Sequence, residues 1–151
     1  MATPQSAAST QTTLPVSHLF TLVAEVAAPQ LIEGGPQGSR MIVHVPGGRL
    51  NGARVQGTIV APTGDWLTLR ADGSGKLDVR ALVRTDDGAL ILMTYSGIAT
   101  PKPEGGLSVR AAPLFETSDA RYAWLNTVQA ISLGDVPATM DRVSYEVFAV
   151  T

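Results

Sequence analysis

Asp78 and Arg80 stand two residues apart in the stretch Lys76–Gly97, KLDVRALVRTDDGALILMTYSG, and so project from one face of an extended strand. A carboxylate beside a guanidinium can move a proton and hold an oxyanion. The planar Arg fork suits carboxylate, enolate or carbonyl oxygens, and an Asp taken out of water has its pKa raised toward general-base use. Tyr95, in the same stretch, offers a hydroxyl to assist, so Asp78, Arg80 and Tyr95 are the candidate catalytic residues. On a solvated face the same pair would be a surface ion pair worth at most about 1 kcal/mol. Burial decides between the two.

The elements that must position these groups are two strands joined at Asp86-Asp87-Gly88. Asp78, Arg80 and Arg84 share a face with Leu82, while Leu77, Val79, Ala81 and Val83 share the other, the period-two mark of a strand between two environments. A two-residue Asp87-Gly88 turn pairs Arg80 with Tyr95 and Asp78 with Gly97. A three-residue turn with a bulge pairs Arg80 with Thr94 and Asp78 with Ser96. The second register sets the polar groups at one end of a floor of Leu82, Leu90 and Leu92, a composition typical of small-molecule sites.

Nine strand-like runs follow a Ser/Thr/Gln/Ala-rich start: His18–Ala27, Arg40–Val45, Ala53–Val60, Asp65–Ala71, Lys76–Thr85, Ala89–Gly97, Leu107–Thr117, Tyr122–Leu133 and Met140–Val150. Short Gly, Pro and Asp clusters, among them Ala61-Pro62-Thr63-Gly64, Asp72-Gly73-Ser74-Gly75 and Gly134-Asp135-Val136-Pro137, separate them as turns, which implies antiparallel neighbours. So many strands must dispose of their edges, and closure removes them. The expectation is an all-β closed antiparallel up-and-down barrel of about 8 to 10 strands with little or no helix, at most one helical turn in Tyr122–Val128. A two-sheet sandwich is the competitor. Residues 1–14 are expected to form a flexible tail and 15–151 a single domain.

Several strings resemble the bacterial family known as domain of unknown function 3237, over about Leu19 to Val150: Gly64-Asp65-Trp66, Leu77-Asp78-Val79-Arg80, Thr85-Asp86-Asp87-Gly88-Ala89-Leu90-Ile91, Phe115-Glu116-Thr117 and Arg121-Tyr122-Ala123-Trp124-Leu125-Asn126. The resemblance implies a closed antiparallel barrel and no particular reaction. Where that pattern often carries aromatic or basic residues, this chain has Leu92, Thr94 and Ser96, and it has Ala81 where Tyr is common. Facing a lumen, these residues would leave a roomier, more apolar cavity.

Further candidates for holding a substrate are Arg40, Trp66, Leu92, Thr94, Glu116, Tyr122, Trp124 and Asn126. Each has a structural alternative: the tryptophans as core anchors, Glu116 and Asn126 as partners for backbone groups at a barrel corner. Asp65, beside Gly64, reads as a turn residue. His18 and His44 lack metal-ligand spacing and cysteine is absent, so no metal site is expected. No phosphate loop or nucleophile elbow occurs either, and no cofactor is expected. A net charge of -2 without a basic stripe argues against nucleic acid, and no apolar run reaches membrane-helix length. With 44% apolar and 16% charged residues, little charge covers the surface, so a homo-oligomer is expected. An N-terminus without Lys or Arg before a short apolar segment is a poor secretory signal, and a soluble cytoplasmic protein is the default expectation. The leading functional expectation is a cofactor-free small-molecule enzyme whose lumen performs proton transfer on a largely apolar carbonyl-bearing metabolite, of isomerase, cyclase, hydratase or lyase type. The alternative is a lipocalin-like binding or carrier barrel. A third is an oligomeric structural barrel with Asp78 and Arg80 at a subunit contact.

Overall fold

Strands that alternate apolar and polar residues must roll up to keep one face dry. The computed structural model describes residues 9–151, among which eleven strands occur: β1 (Val16–Glu25), β2 (Gln30–Gly35), β3 (Gly38–His44), β4 (Gly48–Asn51), β5 (Gln56–Leu69), β6 (Gly75–Thr85), β7 (Leu90–Pro101), β8 (Leu107–Ala111), β9 (Leu114–Glu116), β10 (Ala130–Val136) and β11 (Arg142–Val150). A 3₁₀ helix, Ala120–Thr127, lies between β9 and β10. The strands pair antiparallel in the ring β1–β4–β5–β6–β7–β8–β10–β11, and β11 pairs back to β1 from Val16↔Val150 to Glu25↔Arg142. The chain is thus a closed eight-stranded up-and-down barrel. The hairpin β2–β3 is added along the second half of β5, and β9 is added to β7.

Four details differ from the sequence expectation. Ala53–Val60 and Asp65–Ala71 belong to one strand, β5, and Ala61-Pro62-Thr63-Gly64 is a bulge within it rather than a turn. The β5–β6 register slips between Val60↔Leu82 and Gly64↔Arg80, and Thr63 fills the gap, its Oγ1 accepting the Leu82 N–H at 3.0 Å and donating to the Val60 carbonyl at 2.8 Å. Leu107–Thr117 is broken at Ala112-Pro113 into β8 and β9. The first part of Tyr122–Leu133 is helical over more than one turn. The exposed β2 and the four-residue β4 show too little alternation to stand out in the sequence. Of the expected tail, residues 9–15 carry no regular structure and are exposed, and residues 1–8 lie outside the described residues.

One end of the barrel is filled and sealed. Phe20, Leu50, Val83, Ile91, Met93 and Val147 are buried there. The 3₁₀ helix covers them, its Asp119 cap accepting the Arg121 N–H at 2.9 Å and its Leu125 only 1% exposed. Tyr122 ties this helix to the β6–β7 turn: its hydroxyl donates to the Asp87 carboxylate at 2.8 and 2.9 Å, and Thr85 Oγ1 donates to the same group at 2.6 Å. These hydrogen bonds, that of Thr85 foremost, hold the Asp87 pKa below the usual carboxylate range. The turn is the bulged form, with Gly88 at φ 96° and Gly88 N–H donating to the Thr85 carbonyl, so the register pairs Asp78 with Ser96 and Arg80 with Thr94. Leu125→Ala is expected to remove about 2–5 kcal/mol of stability in urea unfolding, because a methyl in place of isobutyl leaves a cavity beneath the cap.

Candidate active site

The opposite half of the barrel is hollow. A cavity of about 280 Å³ is walled by aliphatic side chains such as Met41, Leu67, Leu77, Val109 and Val143, and it opens to solvent beside Pro29 and Met140, both exposed. Met140 sits at the opening with φ 56°, a left-handed conformation that costs a non-glycine residue of order 1 kcal/mol or more. Volume and lining place the cavity at the small end of the range for small-molecule sites.

Three polar groups break the apolar wall: Asp65, Tyr95 and Tyr145. Register puts the first two level with one another, since Val79 pairs with Asp65 on one side and with Tyr95 on the other. Tyr145, from β11, meets Tyr95 edge to face with centroids 5.6 Å apart. It reaches inward over Gly134, where a Cβ would stand 2.4 Å from Tyr145 Cε1, so only glycine on β10 leaves the ring its place.

Asp65 has an unusual setting for a carboxylate. Its Oδ1 accepts the backbone N–H of Asp78 at 2.9 Å, at the point where the β5–β6 ladder pauses between Asp65↔Val79 and Thr68↔Lys76. That bond fixes one oxygen in the seam, and Oδ2 has no protein donor among the described residues. Among the described residues no Lys, Arg or His lines the cavity. Burial is therefore the dominant influence and raises the Asp65 pKa to about 6, with the Asp78 amide pulling it down and the Asp78 charge pushing it up. At neutral pH such a group is mostly ionised yet close enough to its pKa to both take and return a proton. Burial likewise raises both tyrosines above the ordinary phenol value, Tyr95 further through Tyr145 and Asp65, so both stay protonated hydrogen-bond donors.

Of the residues singled out from sequence, Tyr95 alone among the catalytic three lies in the lumen. Asp78 and Arg80 project outward, as do Leu92, Thr94 and Ser96, because β6 turns Leu77, Val79, Ala81 and Val83 inward. Ala81, only 2% exposed, does face the core. The expected lumen placement of Asp78 and Arg80 is corrected by this parity: a carboxylate and a guanidinium with water available remain in it. Arg80 lies over the exposed Trp66 ring at 5.8 Å, and Arg40 donates to Thr68 Oγ1 at 2.8 Å in an outer groove shared with Asp78. Glu116 is exposed beside Leu92. Asn126 serves the backbone of Thr117, accepting its N–H at 2.8 Å and donating to its carbonyl at 3.0 Å. Tyr122 and Trp124 seal the far end, Trp124 beneath Arg54 at 3.7 Å. Among the described residues no three His, Cys, Asp or Glu converge as metal ligands, and no helix is long and apolar enough to cross a membrane.

Asp65 and Tyr145 were not singled out from sequence. The signal available was parity: Asp65 is in step with Leu67, and Tyr145 with Val143 and Val147, on faces otherwise apolar.

A closed up-and-down barrel with one carboxylate and two phenols in an apolar lumen is the class of protein that fold and site define. The chain belongs to the family described as protein of unknown function (DUF3237), whose pattern spans residues 14–150. The crystal structure of a conserved protein of unknown function from Rhodopseudomonas palustris superposes with a TM-score of 0.84 at 24% identity, over 93% of this chain and 100% of that one. The hydroalkoxylation enzyme phnH of Penicillium herquei is 39% identical over 84 residues, which cover 56% of this chain and 50% of that enzyme. The crystal structure of an enzyme from Penicillium herquei matches with a TM-score of 0.69 and 26% identity, over 94% of this chain and 99% of that one.

Two outcomes follow. A raised pKa means the folded state binds the Asp65 proton more tightly than the unfolded state, so stability falls as pH rises from about 4 to about 6 and stays lower above, by about 3 kcal/mol. Asp65→Asn keeps an acceptor for the Asp78 amide, and thermal melts should show it more stable than the parent at pH 8 and no more stable near pH 4. Gly134→Ala should push the Tyr145 ring into the cavity and weaken uptake of the neutral fluorophore N-phenyl-1-naphthylamine, read by titration.

Proposed function

We propose that the lumen is the reaction chamber of a cofactor-free acid–base enzyme acting on a small, largely apolar metabolite that carries a hydroxyl and a carbonyl-conjugated alkene. The observation that carries this reading is Asp65: a lone carboxylate in an apolar cavity, one oxygen pinned and the other free, with its pKa near 6. In the step it suits best, Asp65 Oδ2 takes the substrate hydroxyl proton while the oxygen adds to the β-carbon of the alkene. The π electrons move onto the carbonyl oxygen, where the protonated phenols of Tyr95 and Tyr145 stabilise the enolate. Asp65 then returns the proton to the α-carbon, so the net change is addition of O–H across C=C. The resemblance to a hydroalkoxylation enzyme supports this class of reaction. Isomerisation or elimination through the same enolate would use the same three groups in the same roles.

Cyclisation of 2′-hydroxychalcone to flavanone, followed by loss of its visible absorbance, tests the proposal with a compound that has all three functions. The protein should accelerate closure over buffer, and Asp65→Asn should lose about 10²-fold or more of that rate while still binding the chalcone. Tyr95→Phe should lose rate with little change in KM. Binding by the parent without acceleration, for this compound and others bearing the same groups, would leave a carrier barrel and overturn catalysis.

A further inference from the structure

The outer wall of β6, β7 and β9 carries an arrangement the lumen chemistry does not use. Leu82, Leu92 and Leu114 form an apolar stripe across it, with Leu90 and Leu114 about half exposed at 45% and 50%. Depressions lined by Leu92, Thr94, Leu114 and Glu116 and by Arg80, Thr94 and Leu114 adjoin on this wall.

It also carries charges of both signs. On this wall Asp78, Arg84, Glu116 and Arg80, which lies over Trp66, form no salt bridge among the described residues, unlike Arg49, Lys102, Arg121 and Arg142, which each face a carboxylate. Three of them lie beside the apolar stripe: Arg80 is level with Thr94 and Leu114, Arg84 with Leu90, and Glu116 with Leu92. Cations and anions that stand unpaired on one wall, on opposite sides of a leucine stripe, complement a second copy of the same wall. A two-fold axis lying in the plane of the wall between β6 and β9 sets Arg80 of each copy against Glu116 of the other and closes the stripe on itself.

We infer that this wall is the interface of a homodimer, held by the Leu82–Leu92–Leu114 stripe and by reciprocal Arg80–Glu116 ion pairs. Three columns, β6, β7 and β9 continued by β8, about 4.8 Å apart over eight residue steps of about 3.3 Å, offer on the order of 400 Å² of projected area. Side-chain relief adds to that area, which stands below the roughly 800 Å² each partner contributes to a standard interface and fits a dimer that forms at micromolar concentration. Burial between copies also gives the wall's leucines a dry setting, which a monomer denies them.

The test is sedimentation velocity of the full chain at tens of micromolar, with charge reversals at the pair. The parent should sediment as a dimer. Arg80→Glu and Glu116→Arg should each weaken it about tenfold or more, by facing like charges, and the double variant should return to within about threefold of the parent. Circular dichroism and thermal melts establish that each variant is folded; should a reversal fail to fold, Leu114→Glu on the exposed wall replaces it and should give a monomer. A monomeric parent, or a dimer indifferent to these changes, overturns the inference.

Discussion

Closure of the sheet between β1 and β11 is the constraint on which the rest depends. Once the last strand pairs with the first, each strand has an inside and an outside, and a residue's parity fixes which it occupies. The inside then has to be filled or to contain something. Bulky residues and the 3₁₀ helix occupy one half, while the other half, lined by valines, leucines and two tyrosines, keeps a void. The Tyr122–Asp87–Thr85 hydrogen bonds matter because they lock the helical plug to the β6–β7 turn and make the filled end rigid beneath the hollow one.

That division gives Asp65 its character. A carboxylate on the outer face would be solvated and ordinary, as an exposed Asp on a strand is. Facing inward beside a bulge that interrupts the β5–β6 ladder, it is both desolvated and anchored. The irregularity of β5 thus has two effects: Thr63 repairs the backbone hydrogen bonding at the slip, and the pause that follows frees the Asp78 amide to hold the carboxylate. Chemistry at such a site derives from the absence of a counter-cation as much as from the carboxylate itself.

The inner and outer faces of β6 divide the protein's two kinds of surface. Val79 links the Asp65 and Tyr95 rows within, while Asp78 and Arg80 on either side of it look out from the same strand. A protein built this way can present a chamber to small molecules and a wall to a partner without either set of side chains interfering with the other.

The amino-acid sequence by itself determined the all-β class, most strand positions, the antiparallel order and the bulged register's availability at Asp86-Asp87-Gly88, because these rest on local period-two patterning and turn chemistry. It also marked Tyr95 and the Leu77–Val83 face. Tertiary structure alone decided which face of each strand became the inside. Asp78 and Arg80 look like a site because a charged pair on one strand face is conspicuous, and alternation is symmetric until closure assigns water to one side. Asp65 looked like a turn residue because Ala61-Pro62-Thr63-Gly64 carries turn chemistry, and only pairing with β6 showed that segment to be a bulge inside a long strand. Its pKa, its anchored oxygen and its neighbour Tyr145, which arrives from β11 across the lumen, all depend on contacts distant in sequence, which no local pattern encodes.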